Sequence, residues 1–580
     1  MKVDHYQNTL RWIGRLRLVS ISNVANLMAS VAPLPLPPSS FIPQQLMRHA
    51  LLTCLVAVLA VRSMSAEDAA GLLPADQPIH EVVDHYVDLQ LQAAGVGPAE
   101  QADEANIIRR TMLDLVGRIP TAAEAKLYLA AESPTKREAA VDRLVTSPGF
   151  TRHQANELST LLMGKPDDKM LKYLKVAVAE NRPWDQIFRE MLAGKEENTR
   201  EFLKSRVKDL DRLANDASVV FFGVNVSCAQ CHDHPLVSEW TQAHFFGMKS
   251  FFSRTFENGD HLGEREYGLV NYKTTEGEEK TAQLMFLTGT VLEEPAERKL
   301  TDDEKKKEKE LLEQLKKDKK APPTPAYSRR AQLAEVALRD EERGYFARSI
   351  VNRVWDRLFG RGLVAPVDQM HPENPASHPK LLEWLARDLI EHGYDLRRLV
   401  RGLVLSKTYS RSSRWHSDEH PSPDLFAVAN VRPLTPLQYA ASLRLASMSP
   451  TWFPEDIASE EFAKRIEQVE NSARGFANLI EQPAEDFQVS VTEALLFNNS
   501  SRINTEFLRD ASDTLVGQLK TIEDTKALVE AAVWNVLTRP VANEADTLSS
   551  YLEQYSENRV IASQQLVWAL LTTNEARFNY

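Results

Sequence analysis

Apolar residues recur at helical spacing through most of this chain. Val82, Val83, Tyr86, Val87 and Leu89 predict a helix over Ile79–Ala94. Ile107, Ile108, Met112, Leu113 and Leu115 predict another over Glu104–Val116, with Gly117 and Pro120 at its end. Thr121 and Glu124 form a capping box that opens the next helix. Ser147-Pro148-Gly149 reads as a break. Helices follow at Thr151–Met163, Met170–Glu180, Trp184–Leu192 and Val219–His232, and one capped by Thr241 runs to about Ser253. The pattern then changes. Tyr267–Tyr272 and Ala282–Val291 are rich in Val, Leu, Phe, Thr and Tyr, with Thr275-Glu276-Gly277 as a turn between them. They predict a small antiparallel β element near 265–295. Leu300–Lys320 is dense in Lys and Glu with a thin apolar stripe, which reads as a solvated helix or linker. Pro322, Pro323 and Pro325 close it.

Helical spacing returns over Phe346–Phe359, Leu381–Ile390 and Leu396–Leu405, the last capped by Asp395. Further helices are predicted at Pro436–Ala446, Ala458–Ser472, Val491–Phe497, Arg502–Leu519, Asp524–Thr538, Asn543–Glu557 and Val560–Thr572. The fold class is therefore mainly α, as two helical domains with a small antiparallel β insertion. The expected divisions are 1–66 as a leader and signal peptide, 67–298 as the first domain, 299–326 as a charged linker, and 327–580 as the second domain.

The beginning of the chain points to export. Ala50–Val61 is mostly apolar, follows Met47-Arg48-His49, and ends near the small residues Ser63–Ala66. A charged start, a short apolar centre and a small-residue end describe a secretory signal peptide. The apolar centre is too short for a comfortable membrane span. Residues 1–46 read as an extension before a true start at Met47, with a cytoplasmic leader as the alternative. Export places the protein in the periplasm or outside the cell, with no membrane span beyond the signal segment. Charge agrees with a non-nucleic-acid role. The chain carries −12 overall, and without residues 1–66, which hold six Lys or Arg and one Asp, it carries −17. A general nucleic-acid binder needs a basic surface.

There are 3 cysteines, and Cys54 lies in the signal segment. The other two form Cys228-Ala229-Gln230-Cys231-His232, the C-x-x-C-H attachment signature of haem c. On a helix, residues three and four apart share a face, so two thiols can reach one porphyrin while His232 serves as the proximal iron ligand. Met248 and His244, four apart on the following helix, are the candidate distal ligands. Phe221, Phe222, Trp240, Phe245, Phe246, Phe251 and Phe252 can either wall the porphyrin or form plain core. An alternative is zinc held by Cys228, Cys231, His232 and His234, and a further one is a disulfide or free thiols with no cofactor. Asp368, His371, Glu373, Asn374 and His378 form a polar loop read as turn and capping chemistry rather than a ligand site. Arg348, Asn352 and Arg353 read as a structural polar face. No P-loop, G-x-S-x-G or H-E-x-x-H is present, so those hydrolase classes have no motif support.

Longer motifs carry a resemblance. Phe222-Gly223-Val224 through Cys228–Pro235, Trp240-Thr241-Gln242, Phe245-Phe246-Gly247 and the run Arg109–Thr121 are similar to the planctomycete cytochrome-like secreted domain. Ala347–Trp355, Phe359–Val364, Pro366-Val367-Asp368, Asn374–Pro379 and Gly393–Leu396 resemble the planctomycete-specific domain that usually follows it. The resemblance implies an exported protein and assigns no reaction. The leading functional expectation is single-electron transfer through haem c to redox partner proteins. The alternatives are a secreted scaffold or binding protein with zinc or a disulfide, and a factor in polysaccharide processing with a pocket between the domains.

Overall fold

A computed structural model describes residues 71–483 and 490–580. The segment read as a signal peptide, with Met47 and Cys54, lies outside the described residues. Leu72–Tyr580 forms one compact unit. It is mainly α-helical, with small two-stranded antiparallel sheets.

The first helices form over the predicted spans, although Leu89 points to solvent. Ile79–Ala94 buries Val82, Val83, Tyr86, Val87 and Leu91, and Gly95 ends it in the left-handed conformation. Glu104–Val116 is capped by Asp103, whose carboxylate accepts the Asn106 N–H, and ends at Gly117. The Thr121–Glu124 capping box is formed. Ser147-Pro148-Gly149 is not a break between elements but a helix start. Ser147 Oγ accepts the Phe150 N–H at 3.2 Å, and Pro148 occupies the first turn of Pro148–Met163, where a missing N–H costs nothing.

Three hairpins fill 255–292. Asn271–Lys273 pairs with Glu279–Thr281 around the predicted turn, and Leu284–Met285 pairs with Val291–Leu292. The first hairpin, Thr255–Asn258 with His261–Glu264, was not predicted, although its two-residue turn Gly259-Asp260 carries Gly at the first position, with φ 65°. The charged helix Asp302–Lys317 buries none of its residues.

Downstream, Gly344–Phe359, Pro379–Glu391 and Leu396–Val404 follow the predicted helices, and Asp395 caps the last. The expected helix Arg502–Leu519 is interrupted. Its first part survives as a wide turn over Ile503–Phe507, and a new helix spans Leu515–Leu519. Thr514 Oγ1 accepts the Gly517 N–H at 3.2 Å and so caps the second piece, while Asp510, Ser512 and Asp513 make the turn before it.

Two apolar cores lie within the unit. One runs from Ile79 to Ala427, on both sides of the charged helix, and the other from Leu434 to Ala576 with Leu113 and Ile119. The first is centred on buried aromatics. Trp184 stacks on Phe346 at 6.1 Å, Phe188 lies 4.6 Å from Phe221, and Phe222 meets Phe286 edge-on at 5.1 Å. Helix Glu104–Val116 joins the two cores through Asp114. Its carboxylate takes both Arg432 nitrogens at 2.9 and 2.8 Å, the Tyr409 hydroxyl at 2.7 Å and the Asn579 amide at 3.0 Å.

Candidate functional site

The Leu210–Phe222 helix stops before the cysteines, which corrects the predicted helix Val219–His232. Gly223 adopts φ 68°, and its N–H and that of Val224 close the helix on Val219 O and Ser218 O at 3.1 and 3.2 Å. The chain then runs extended. Val224 pairs with Gln369, Asn225 N–H donates to Asp368 O at 2.9 Å, and Met370 N–H donates to Gly223 O at 2.9 Å. Asn225 Oδ1 accepts from the Ser227 N–H at 3.1 Å and the Ser227 hydroxyl at 2.7 Å. This side-chain turn starts a 3₁₀ turn over Ser227–Gln230. Cys228 lies within this 3₁₀ turn and Cys231 follows as its C-cap in right-handed helical conformation.

Cys228 and Cys231 are free and exposed, while Ala229 between them is fully buried. His232 is exposed as well. Its Nδ1 lies 2.7 Å from Asp233 O. A carbonyl oxygen only accepts, so Nδ1 carries the proton and Nε2 of the neutral ring carries the lone pair. The Asp233 carboxylate accepts the Gln242 N–H at 3.1 Å, and Gln242 Nε2 donates to Gln230 O at 3.3 Å, which fastens the turn to the Gln242–Phe252 helix.

The other histidines are arranged in the opposite sense. His234 is buried, and its Nδ1 accepts the Leu236 and Val237 N–H groups at 3.3 and 3.2 Å. Nδ1 therefore holds the lone pair, and the proton of the neutral ring sits on Nε2. His234 packs edge-on against Trp240 at 5.4 Å and lies 6.0 Å from His371. Burial, with the rings of His371 and His232 nearby, pushes its pKa down. Nδ1 of His244 accepts the Thr241 N–H at 3.2 Å, which ties that ring to the helix start. Burial also lowers its pKa, opposed by Asp233. Met248 is fully buried in the first core. Among the described residues, no group of three or more His, Cys, Asp or Glu side chains is placed to hold a metal ion.

The aromatic neighbours turn out to be core rather than a wall around a ligand. Phe221, Phe222, Phe245, Phe251 and Phe252 are buried, and Trp240 is 4% exposed. Phe246 stacks on Tyr272 at 4.2 Å. Cavities of about 720 and 420 Å³ are lined by residues of 103–106 with 414–431 and 539–580, and of 116–152 with 453–466. Neither includes a residue of the cysteine turn.

The support beneath the turn comes from the second half of the chain, which sequence spacing did not reveal. Arg353 Nη2 donates to Val219 O at 2.5 Å at the end of the preceding helix. Asn352 is fully buried, donates to Val364 O at 2.8 Å and accepts the Val364 N–H at 2.9 Å, so its amide acts as a strand partner for the loop that pairs with Val224. In the same loop, Asn374 Nδ2 donates to Ala365 O and Gln369 O at 3.3 and 2.9 Å, and His378 Nδ1 meets Ser377 Oγ at 3.0 Å. These contacts bear out the turn-chemistry reading for Asn374 and the structural reading for Asn352 and Arg353. His371 is buried beside Trp240, and its Nδ1 has no hydrogen-bond partner.

Comparisons with known proteins agree with this two-part construction. No curated protein and no solved structure matches the chain. Residues 82–257 match the family PSCyt2, a protein of unknown function (DUF1549), and so include the cysteine turn. Residues 329–477 match PSD1, a protein of unknown function (DUF1553), and include Asn352, Arg353 and the supporting loop. The chain thus carries a PSCyt2 domain followed by a PSD1 domain, the pair that its motifs resemble.

Proposed function

We propose that this protein is exported and holds haem c through Cys228 and Cys231, with His232 as the proximal ligand, for single-electron exchange with a partner protein. The observation that carries the reading is the hydrogen bonding of His232. Its Nδ1–H is spent on Asp233 O at 2.7 Å, which leaves the Nε2 lone pair without a partner among the described residues. A ligating imidazole is usually fixed in this way, by a hydrogen bond from the other nitrogen to a carbonyl. Both thiols are free and exposed, so the donor set suits the group chemically.

When bound, haem supplies the one-electron chemistry. The chain's own residues do the positioning. The 3₁₀ turn and the residue after it carry the two thiols, Ala229 anchors the turn in the core, and Asp233 holds the imidazole through its carbonyl while its carboxylate caps the next helix. The neighbouring aromatics belong to the core and do not cover the turn, so the expected reduction potential is low for haem c. Zinc held by Cys228, Cys231, His232 and His234 is the less favoured reading. His234 Nδ1 already accepts two backbone N–H groups, and zinc ligation through Nε2 would require moving its proton onto Nδ1 against those donors.

The test is intact mass spectrometry of the full chain, secreted from a host with haem c maturation machinery. One added haem per chain is expected in the wild type, surviving denaturation. Loss of the adduct is expected in the double variant Cys228→Ala/Cys231→Ala. An unmodified wild-type chain, or one carrying zinc instead, overturns the reading.

A further inference from the structure

The arrangement of side chains around the turn bears on the second axial position of the same haem, and the inference rests on the proposed haem reading. We infer that the chain supplies no sixth iron ligand from the helix after the motif, so that this position is left to a small ligand from outside the protein.

Three side chains near the motif in sequence could fill that position, and each is committed elsewhere. His244 can ligate through Nε2 only if Nε2 carries a lone pair, which puts the proton on Nδ1. Nδ1 faces the Thr241 N–H at 3.2 Å and the Thr241 hydroxyl at 3.3 Å. A proton there would set donor against donor at the backbone and release the first turn of the Gln242–Phe252 helix. His234 meets the same conflict twice, at the Leu236 and Val237 N–H groups. Its ring is also packed edge-on against Trp240. Met248 is fully buried in the first core, and turning its sulfur outward would open a gap there. His371 is buried with the Trp240 ring against it at 6.1 Å. By contrast, the thiols and His232 lie at the surface, so the outer side of the turn is reached from solvent.

A protein with two strong axial ligands is low-spin and refuses added ligands. A protein with one strong axial ligand is high-spin, or water-ligated, and takes them. The experiment uses the full secreted chain carrying haem. The ferric form is examined by electron paramagnetic resonance, and the dithionite-reduced form is titrated with carbon monoxide. A high-spin ferric signal and a carbon monoxide-induced Soret shift, saturating at one ligand per haem, are expected. The variants His244→Ala and Met248→Leu are expected to leave the spin state and the Soret shift unchanged.

A low-spin ferric protein that binds no carbon monoxide overturns this inference while leaving the haem reading intact. So does a change from low to high spin in either variant, because that identifies the substituted residue as the ligand. A chain with no covalent haem by pyridine haemochrome assay removes both. The two failures are thus told apart by colour before any ligand is added.

Discussion

Replacing Asn352 with Leu tests how the second half of the chain holds the cysteine turn. The Asn352 side chain is fully buried and pairs with both backbone groups of Val364, at 2.9 Å to the N–H and 2.8 Å to the carbonyl. Val364 is itself 3% exposed, so water cannot replace the lost amide. Leu has nearly the same shape, which keeps the cavity contribution small. What remains is one unpaired N–H and one unpaired carbonyl. Each buried unpaired group costs about 1–3 kcal/mol, so the variant is expected to lose about 2–6 kcal/mol. The space offers no easy relief. A Cβ on neighbouring Gly362 would already lie 3.1 Å from both polar atoms of the Asn352 amide. The loop that follows carries Asp368, Gln369 and Met370, which pair with Gly223–Asn225 just ahead of the motif.

The assay is chemical denaturation followed by circular dichroism, with hydrogen exchange resolved to peptides. The denaturation midpoint is expected to fall at an unchanged slope. Exchange is expected to quicken in peptides covering both 363–370 and 223–231. Asn374→Ala, at a half-buried site with hydrogen bonds only to carbonyls, should cost distinctly less. A stability for Asn352→Leu within about 0.5 kcal/mol of wild type, the range of ordinary surface changes, refutes the reasoning.

Three further outcomes are expected. Gly223→Ala forces a side chain into φ 68° and sets its Cβ 3.3 Å from Ser349 Oγ and Val367 O, so a thermal scan should show a loss of about 1–2 kcal/mol. Asp114→Ala leaves the half-buried Arg432 without its carboxylate and should cost about 3 kcal/mol in urea denaturation, with Asp114→Asn intermediate. Stability should fall on mild acidification. Burial lowers the pKa of His153 to about 3 and of His378 to about 4, so unfolding takes up protons below the ordinary histidine value. Their contribution is complete above about pH 6.5 and is lost as pH falls toward those values, at up to about 1.4 kcal/mol per pH unit for each. Glu157, whose pKa is raised by burial, works in the opposite sense. His378→Gln should flatten the slope measured between pH 7 and 4.5, and an unchanged slope contradicts the assignment.

Periodicity located helices well where one face is buried, as in Ile79–Ala94, and also in Glu104–Val116, which is buried nearly all round. It failed where local chemistry overrode the pattern. Val219–Phe222 is apolar enough to suggest that its helix continues, yet Gly223 ends it and Asn225 starts a turn. Both residues stood in the sequence as readable stop signals. Gly259-Asp260 was an equally readable hairpin turn. Other features had no local signal. A single sequence does not say that Asn352 will bind Val364, that Asp114 will take Arg432 from 318 positions away, or that Trp184 will stack on Phe346. Nor does it say that a core runs past the charged Asp302–Lys317 helix. The cysteine motif itself was legible at once. Which histidine nitrogen holds a free lone pair was not, because that depends on backbone groups brought up by the turn.

The central claim is a covalent haem on the Cys228–His232 turn. The reduced pyridine haemochrome spectrum of the secreted full-length chain, recorded after acid-acetone extraction, addresses it most directly. A retained pigment with the c-type band, one haem per chain and absent from Cys228→Ala/Cys231→Ala, is the predicted result. A colourless wild-type protein from a host that matures other haem c proteins contradicts it.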